Sequence, residues 1–213
     1  FVLGYDSLFK TGYYRFYNNH SQGVTCKEKA NTDNFIIRNS KLTTFTNATA
    51  YNCTITSGIT TNAYAYSCTF INFDSYINNN IIISDSNFIV TDNQSTNLKF
   101  NQAYSLKTFN NCTFSGPVIL SGNYCNSGTF NNCTFDNINM TINYSNKIGD
   151  LNFINCEITY YEKKESIDSG FIKFTNNSSA TFENCTIICV PNENNDKIAL
   201  VWIRNYVSGS KTI

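Results

Sequence analysis

Hydrophobic and polar positions alternate in short runs along this chain, and the runs are interrupted by an asparagine followed by a cysteine. The clearest runs share the hexapeptide pattern F-x-N-C-[T/E]-[F/I] and occupy 109–114, 130–135, 153–158 and 182–187. Alternation with a period of two is typical of β-strands. A strand motif that returns at intervals of 21, 23 and 29 residues predicts stacked turns of a coil.

Degenerate copies of the hexapeptide extend the pattern towards the N-terminus at 37–42, 50–55, 65–70 and 83–88. The cysteine slot of the eight copies holds either cysteine or serine: Ser40, Cys53, Cys68, Ser86, Cys112, Cys133, Cys156 and Cys185. The spacing between successive slots varies from 13 to 29 residues, which favours turns that carry loops of different length. Because six cysteines share one slot, we expect a column of buried thiols that pack as small apolar groups.

Strand geometry explains why an asparagine separates the two halves of the motif. Side chains alternate along a strand, so Cys133 and Phe135 share one direction, and Phe130 should also point inward. Phe130 and Cys133 are three residues apart, so both side chains can point inward only if the chain bends at Asn132. Asparagine suits such a bend because it tolerates the left-handed conformation better than most residues. The equivalent asparagines of successive turns would then stack ~4.8 Å apart as an internal, hydrogen-bonded ladder.

Several ladder asparagines also lie in N-x-[S/T] sequons, namely Asn52, Asn111, Asn132 and Asn184. Attachment of a glycan requires an accessible side-chain amide. If the ladder is buried, these four sequons are closed to glycosylation whatever the compartment.

The strand–asparagine bend–strand unit resembles the right-handed parallel β-helix of pectate-lyase-like proteins, whose turns carry an internal asparagine ladder at such a bend. The resemblance covers roughly residues 35–210 and implies an all-β fold, a single right-handed parallel β-helix (solenoid) of about eight turns. We place this β-helix at 35–213. Residues 1–34, which are rich in aromatic side chains, are predicted to form an N-terminal cap and lead-in segment. Lys107 falls on a predicted inward position, so we expect an irregular start to that turn.

Composition narrows the classes of partner. The 213 residues include 15 basic and 15 acidic residues, and a net charge of zero argues against nucleic acid or an anionic membrane as partner. No apolar run reaches the ~20 residues of a membrane span. The chain begins at Phe1 rather than methionine, which we interpret as a mature form or a fragment, and we expect an extracellular location.

Catalytic residues are not evident in the sequence. The resemblance implies enzymes that cleave polysaccharides, but lyases of that family need clustered acidic residues for calcium and a basic residue that abstracts a proton. The aspartates form no such cluster, His20 is the only histidine, and Asn31-Thr32-Asp33 matches only one of the motifs of polygalacturonase-like members. We therefore predict a protein that is not an enzyme and uses no metal or cofactor.

A binding role is the remaining possibility, and one loop concentrates the residue types that binding uses. The longest excursions between cysteine slots are 86–112 and 156–185, and the second combines tyrosines with charges of both signs. Such residues favour a contact surface for a protein or a glycan. The predicted binding residues are Tyr160, Tyr161, Glu162, Lys163, Lys164 and Glu165.

We expect a secreted, non-catalytic scaffolding module within a larger multi-module protein. Asparagine-rich, cysteine-stacked β-helices look like the modules of large extracellular proteins of microbes. A cohesin-type module of the cellulosome scaffold of anaerobic fungi is one such resemblance, and it implies an enzyme's docking module as partner. Two alternatives are a virus or phage receptor-binding spike or adhesin that binds glycans, and a polysaccharide lyase or hydrolase.

Overall fold

The structure, a computed structural model, describes the chain in fifteen segments. These are residues 2–3, 15–16, 25–26, 35–45, 48–59, 62–77, 80–91, 94–100, 107–124, 128–136, 140–146, 151–161, 172–176, 180–190 and 201–204. Every regular element within them is a β-strand, and the strands pair in parallel throughout.

Three long sheets form the three faces of a coil, and a two-stranded sheet pairs β1 (Val2–Leu3) with β3 (Thr25–Cys26). The first face contains, in spatial order, β2 (Arg15–Phe16), β4 (Phe35–Arg38), β6 (Ala48–Tyr51), β8 (Ala63–Tyr66), β11 (Ile81–Ser84), β14 (Lys107–Asn110), β17 (Gly128–Asn131), β20 (Leu151–Ile154) and β23 (Ala180–Glu183). The second face contains β5 (Lys41–Phe45), β7 (Thr54–Ile59), β9 (Thr69–Ile71), β12 (Asn87–Ile89), β15 (Thr113–Ser115), β18 (Thr134–Asp136), β21 (Glu157–Tyr161) and β24 (Thr186–Val190). The third face contains β10 (Asp74–Ile77), β13 (Thr96–Phe100), β16 (Val118–Tyr124), β19 (Met140–Asn146), β22 (Ile172–Asn176) and β25 (Val201–Arg204).

Each hexapeptide of the sequence supplies one first-face strand, a corner and one second-face strand. All eight predicted copies follow this plan, and equivalent positions of adjacent copies are in register, as with Phe109 opposite Phe130 and Thr113 opposite Thr134. The predicted parallel β-helix is therefore confirmed, including the degenerate copies that carry serine in the cysteine slot.

The corner between the first and second faces is built by residues in the left-handed conformation. The φ angle is 51° at Asn132, 53° at Asn155 and 53° at Asp85, and the other copies are similar. The bend preserves the ladder of backbone hydrogen bonds, because Asn132 N–H still donates to the Ile154 carbonyl oxygen at 2.9 Å. The bend that the sequence predicted at these positions is confirmed.

The asparagine ladder is present, but it lies on the outside of the corner rather than inside the coil. Asn52 Nδ2 donates to Asn39 Oδ1 at 2.7 Å, Asn111 Nδ2 donates to Asp85 Oδ1 at 3.0 Å, and these side chains are exposed. The prediction of an internal ladder was wrong because the residue at the outside of a corner directs its Cβ away from the axis. Burial therefore does not close the four ladder sequons.

Stacked phenyl rings and thiols fill the interior instead. Along the second face, the rings of Phe88 and Phe114 lie 4.4 Å apart and those of Phe114 and Phe135 lie 4.7 Å apart. A first-face ladder runs through Phe109, Phe130, Phe153 and Phe182 with centroid distances of 4.7 to 4.9 Å. These distances match the ~4.8 Å separation of neighbouring strands, so the rings of successive turns are in direct contact along each ladder.

The buried thiol column predicted from the repeated slot is confirmed. Cys53, Cys68, Cys112, Cys133 and Cys156 are at most 2% exposed, and Cys185 is half-buried; all six are free thiols. Each thiol donates to the carbonyl two residues earlier, as in Cys133 Sγ to Asn131 O at 3.4 Å. Ser86 Oγ makes the same bond to Ser84 O at 2.8 Å, which explains why the slot accepts either residue.

The structure corrects one sequence expectation, that for Lys107, and leaves most of another outside the described residues. Lys107 does not make its turn irregular: it is in register with Ile81 and Gly128, is fully buried, and its Nζ lies 6.0 Å from the centroid of Phe100. Most of the predicted aromatic cap lies outside the described residues. Within 1–34, β2 pairs with β4 and so extends the first face by one strand.

Candidate binding surface

The predicted binding residues are not assembled into one surface by the described residues. Tyr160 is buried, at 6% exposure, and is paired in register with Cys189, whereas Tyr161 is 47% exposed. Residues 162–165 lie outside the described part of the chain. The alternation that directs Cys156 and Ile158 inward also directs Tyr160 inward, so the sequence contained this signal. Tyr161 alone of the pair can contact a partner.

A different aromatic cluster lies on the outer surface of the first face. Tyr51 and Tyr66 are in register on β6 and β8, and their rings are stacked at 5.2 Å between centroids with 17° between planes. The guanidinium carbon of Arg38, in register with Tyr51 on β4, lies 4.2 Å from the centre of the Tyr51 ring. The three side chains form one continuous stack across three turns, which we call the Arg38–Tyr66 stack.

Local sequence explains why this stack lies on the surface. Tyr51 and Tyr66 both occupy the outward slot directly before the corner, and each follows a fully buried alanine, Ala50 or Ala65. The strand alternation therefore directs the small methyl groups into the core and the rings outward. Sequence reasoning missed the stack, although aligning the residue before each corner would have placed these residues in one column.

Tyr64 widens the cluster on the same strand as Tyr66. The two residues are separated by one inward position, so both side chains are on the outer surface of β8. The pKa of the Tyr66 phenol is raised above its ordinary value, first by partial burial and then by the neighbouring phenols of Tyr51 and Tyr64. The Tyr66 hydroxyl is therefore neutral at physiological pH and can donate a hydrogen bond.

In the turns after Tyr66, the outward position directly before each corner is occupied by shorter, polar side chains. Ser84 follows in register with Tyr66, and Asn110 Nδ2 donates to Ser84 Oγ at 3.3 Å. Asn131 Nδ2 in turn donates to Asn110 Oδ1 at 3.0 Å. The first face therefore carries aromatic and cationic groups at its N-terminal turns and a hydrogen-bonded amide row further along.

Five of the six thiols in the column are buried and shielded from solvent, and Cys185 is half-buried. Hydrogen bonding to Cys53 and burial raise the pKa of the Cys68 thiol. Hydrogen bonds to Cys112 and Cys156, together with burial, raise the pKa of Cys133. Two of their hydrogen-bonding partners shift the other way: the hydrogen bond with Cys68 lowers the pKa of the Cys53 thiol, and the hydrogen bond with Cys133 lowers the pKa of the Cys156 thiol to about 7. Burial keeps all four of these thiols out of contact with solvent. Their contribution is to the packing and hydrogen bonding of the interior.

Other chemical candidates can be placed only in part. Within the segments that the structure describes, no three His, Cys, Asp or Glu side chains are grouped as metal ligands would be. His20 and Asn31-Thr32-Asp33 lie outside those segments. The same segments include no helix with the length and apolar character needed to cross a membrane. Comparison with protein-family models, with curated proteins and with solved structures found no match for this chain.

Proposed function

We propose that this chain is a non-catalytic, extracellular binding module that recognises a protein partner through the first face of its β-helix. The observation that carries the proposal is the Arg38–Tyr66 stack, an ordered row of aromatic and cationic groups on the outer surface of a sheet. Tyrosine and arginine are over-represented among the residues that dominate protein–protein affinity.

The side chains of the stack are already immobilised before a partner binds, and this favours binding. A side chain that is free in solution loses about 0.5–1.5 kcal/mol of conformational freedom when it is immobilised in an interface. Tyr51 is already held between Arg38 and Tyr66, so much of that cost is met during folding. The strands beneath are paired on both sides, so the platform is rigid before the partner arrives.

The type of partner follows from sequence rather than from geometry. A neutral, asparagine-rich repeat that resembles a cohesin-type module implies a docking module of a secreted enzyme, and we propose such a domain as the partner. In this role the coil would hold an enzyme within a larger multi-module protein. The exposed Tyr161 is proposed as a secondary contact, since it lies on the second face, away from the stack.

Substitution of the two stacked tyrosines tests this proposal. Partners are first captured from the native secretome, and the affinity of the purified partner is then measured by calorimetry. We expect Tyr51→Ser combined with Tyr66→Ser to weaken binding at least about tenfold, in line with the loss of two aromatic anchors. Serine already occupies this slot at Ser84, so the fold should be retained.

A matched control is available on the third face. Tyr76 is 55% exposed and lies beside Lys99 and Asp74, so Tyr76→Ser removes an outward tyrosine without touching the stack. We expect no change in affinity for this variant. Equal affinities for wild type and the double variant would refute the first face as the binding surface. Turnover of a polyuronate, with or without calcium, would refute the non-catalytic part.

A further inference from the structure

We infer that the first face has a notch beside Tyr66 that accepts a cationic side chain, arginine or lysine, of the protein partner. This inference rests on the proposed function and names the chemistry that the partner must present at that site. It follows from the open end of the Arg38–Tyr66 stack, from the residues that border this end, and from their charge.

One face of the Tyr66 ring is uncovered by the stack. Tyr51 lies on one side of the ring, and the next residue in register on the other side is Ser84. A serine side chain ends at its hydroxyl oxygen and is too short to cover an aromatic ring. Within the described segments, no second aromatic ring and no cation lies against Tyr66. The removal of one large side chain from the column leaves a notch one strand wide, about 4.8 Å.

The notch is bordered by groups that suit a long cationic side chain. Ile82, two residues before Ser84 on the same strand, also faces outward and offers an aliphatic surface for a methylene stem. Asn110 closes the far side, and its amide is held by the hydrogen bond to Ser84 Oγ at 3.3 Å. Asp85 follows Ser84 at the corner and is exposed, with φ at 53°.

The charge at the notch is negative. Asp85 Oδ1 accepts from Asn111 Nδ2 at 3.0 Å, which leaves the second carboxylate oxygen for another donor. The ion pair found within the described segments joins Lys99 to Asp74 on the third face, and Asp85 has no cationic partner among those residues. Arg38 lies three strands away along the stack, about 14 Å, which is beyond the ~8 Å screening length of physiological salt.

A cation–π contact of the kind proposed is already present within the protein, at the other end of the stack. There the guanidinium of Arg38 lies 4.2 Å from the Tyr51 ring centre, a distance typical of a cation–π contact. A partner cation in the notch would repeat this geometry on Tyr66 and would gain the Asp85 carboxylate in addition. A neutral or acidic group would gain neither attraction, so the notch selects for positive charge.

A pair of small probes isolates the effect of charge. Side-chain NMR of Tyr66 and backbone NMR of Asp85 are followed while N-acetyl-arginine amide or N-acetyl-citrulline amide is added. The two probes have the same shape but only the first is charged. We expect saturable shifts at these two residues with the arginine probe, and at least about fivefold weaker binding of the citrulline probe. Equal binding of both probes, or shifts located elsewhere, would overturn the inference.

Asp85→Asn is a variant that the fold already tolerates, because asparagine occupies the same corner position in several other turns. We expect it to weaken arginine-probe binding about threefold to fivefold and to remove most of its salt dependence. Asp136→Asn, an exposed aspartate on the second face, serves as the control and should change nothing. Undiminished binding to the Asp85 variant would overturn the inference.

The two proposals can fail separately. One outcome is a captured partner that needs Tyr51 and Tyr66 but binds the Asp85→Asn variant as tightly as wild type. In that case the first face is the binding surface, and the proposal that the notch binds a cationic side chain of the partner is refuted. If the arginine probe binds the notch but the partner ignores both tyrosines, the proposed function is wrong. If both the Asp85→Asn variant and the Tyr51→Ser, Tyr66→Ser double variant lose binding to the partner, both proposals are supported.

Discussion

The residue on which this fold depends most is the one at the corner. Ten non-glycine residues of the described segments have φ between 44° and 53°, and eight of them are asparagines. Other L-residues lose about 1–2 kcal/mol in this conformation, while asparagine and glycine lose less. Because the side chains point to solvent, we expect the conformational preference to contribute more to stability than the amide ladder does.

Substitutions at Asn52, whose Nδ2 donates to Asn39 Oδ1 at 2.7 Å, separate these two contributions. We expect Asn52→Ala to reduce the free energy of unfolding by about 1–2 kcal/mol, since alanine is strained at φ of 51°. Asn52→Gly removes the same amide but adopts this backbone conformation without strain, so it should cost less than half as much. Urea denaturation of both variants measures the difference. Equal losses for alanine and glycine would show that the side-chain amide, and not the bend, is the stabilising feature.

At the scale of the element, each turn contributes one layer of side chains to a continuous interior, and in the turns at 109–114 and 130–135 this layer includes two phenyl rings and a thiol. A ring in the middle of the coil has a stacked neighbour on both sides, as Phe130 has in Phe109 and Phe153. Phe182 stacks on Phe153 but is only partly buried. The contribution of equivalent residues should therefore depend on the turn that carries them.

A pair of matched truncations tests this dependence on position. We expect Phe130→Ala to reduce the free energy of unfolding by about 3–5 kcal/mol, the range found for a buried phenylalanine whose cavity cannot collapse. Phe182→Ala should cost about half as much, because one side of its ring is not enclosed by the stack. Chemical denaturation of both variants measures the two values. A larger loss at Phe182 would contradict the layered interior.

Much of the architecture could be predicted because one hexapeptide with strand-like alternation recurs once in every turn. The inward phases of Phe130 and Cys133 required a bend between them, and the bend is where it was expected. The direction of the side chain at the bend could not be predicted, since it depends on the side of the corner on which the axis of the coil lies. Tyr160 was misjudged because its charged neighbours were weighed above strand alternation. The Arg38–Tyr66 stack could have been predicted by aligning the residue before each corner, because consecutive copies of the hexapeptide form adjacent turns.

At the scale of the whole molecule, the coil provides flat faces on which side chains far apart in sequence become neighbours. Arg38, Tyr51 and Tyr66 are separated by 13 and 15 residues, yet they form one stack because each lies one turn above the last. The first face combines this stack with the notch at Ser84 and Asp85. The proposed recognition of a basic protein segment is therefore a property of the assembled coil and not of any single loop.

Hydroxyl-radical footprinting of the protein with its captured partner tests the location of binding most directly, because tyrosine rings report their own solvent access. We expect Tyr51, Tyr64 and Tyr66 to become protected in the complex, while Tyr76 on the third face keeps its reactivity. Protection of Tyr76, or of Tyr161 alone, with unchanged reactivity of Tyr51 and Tyr66 would contradict this prediction.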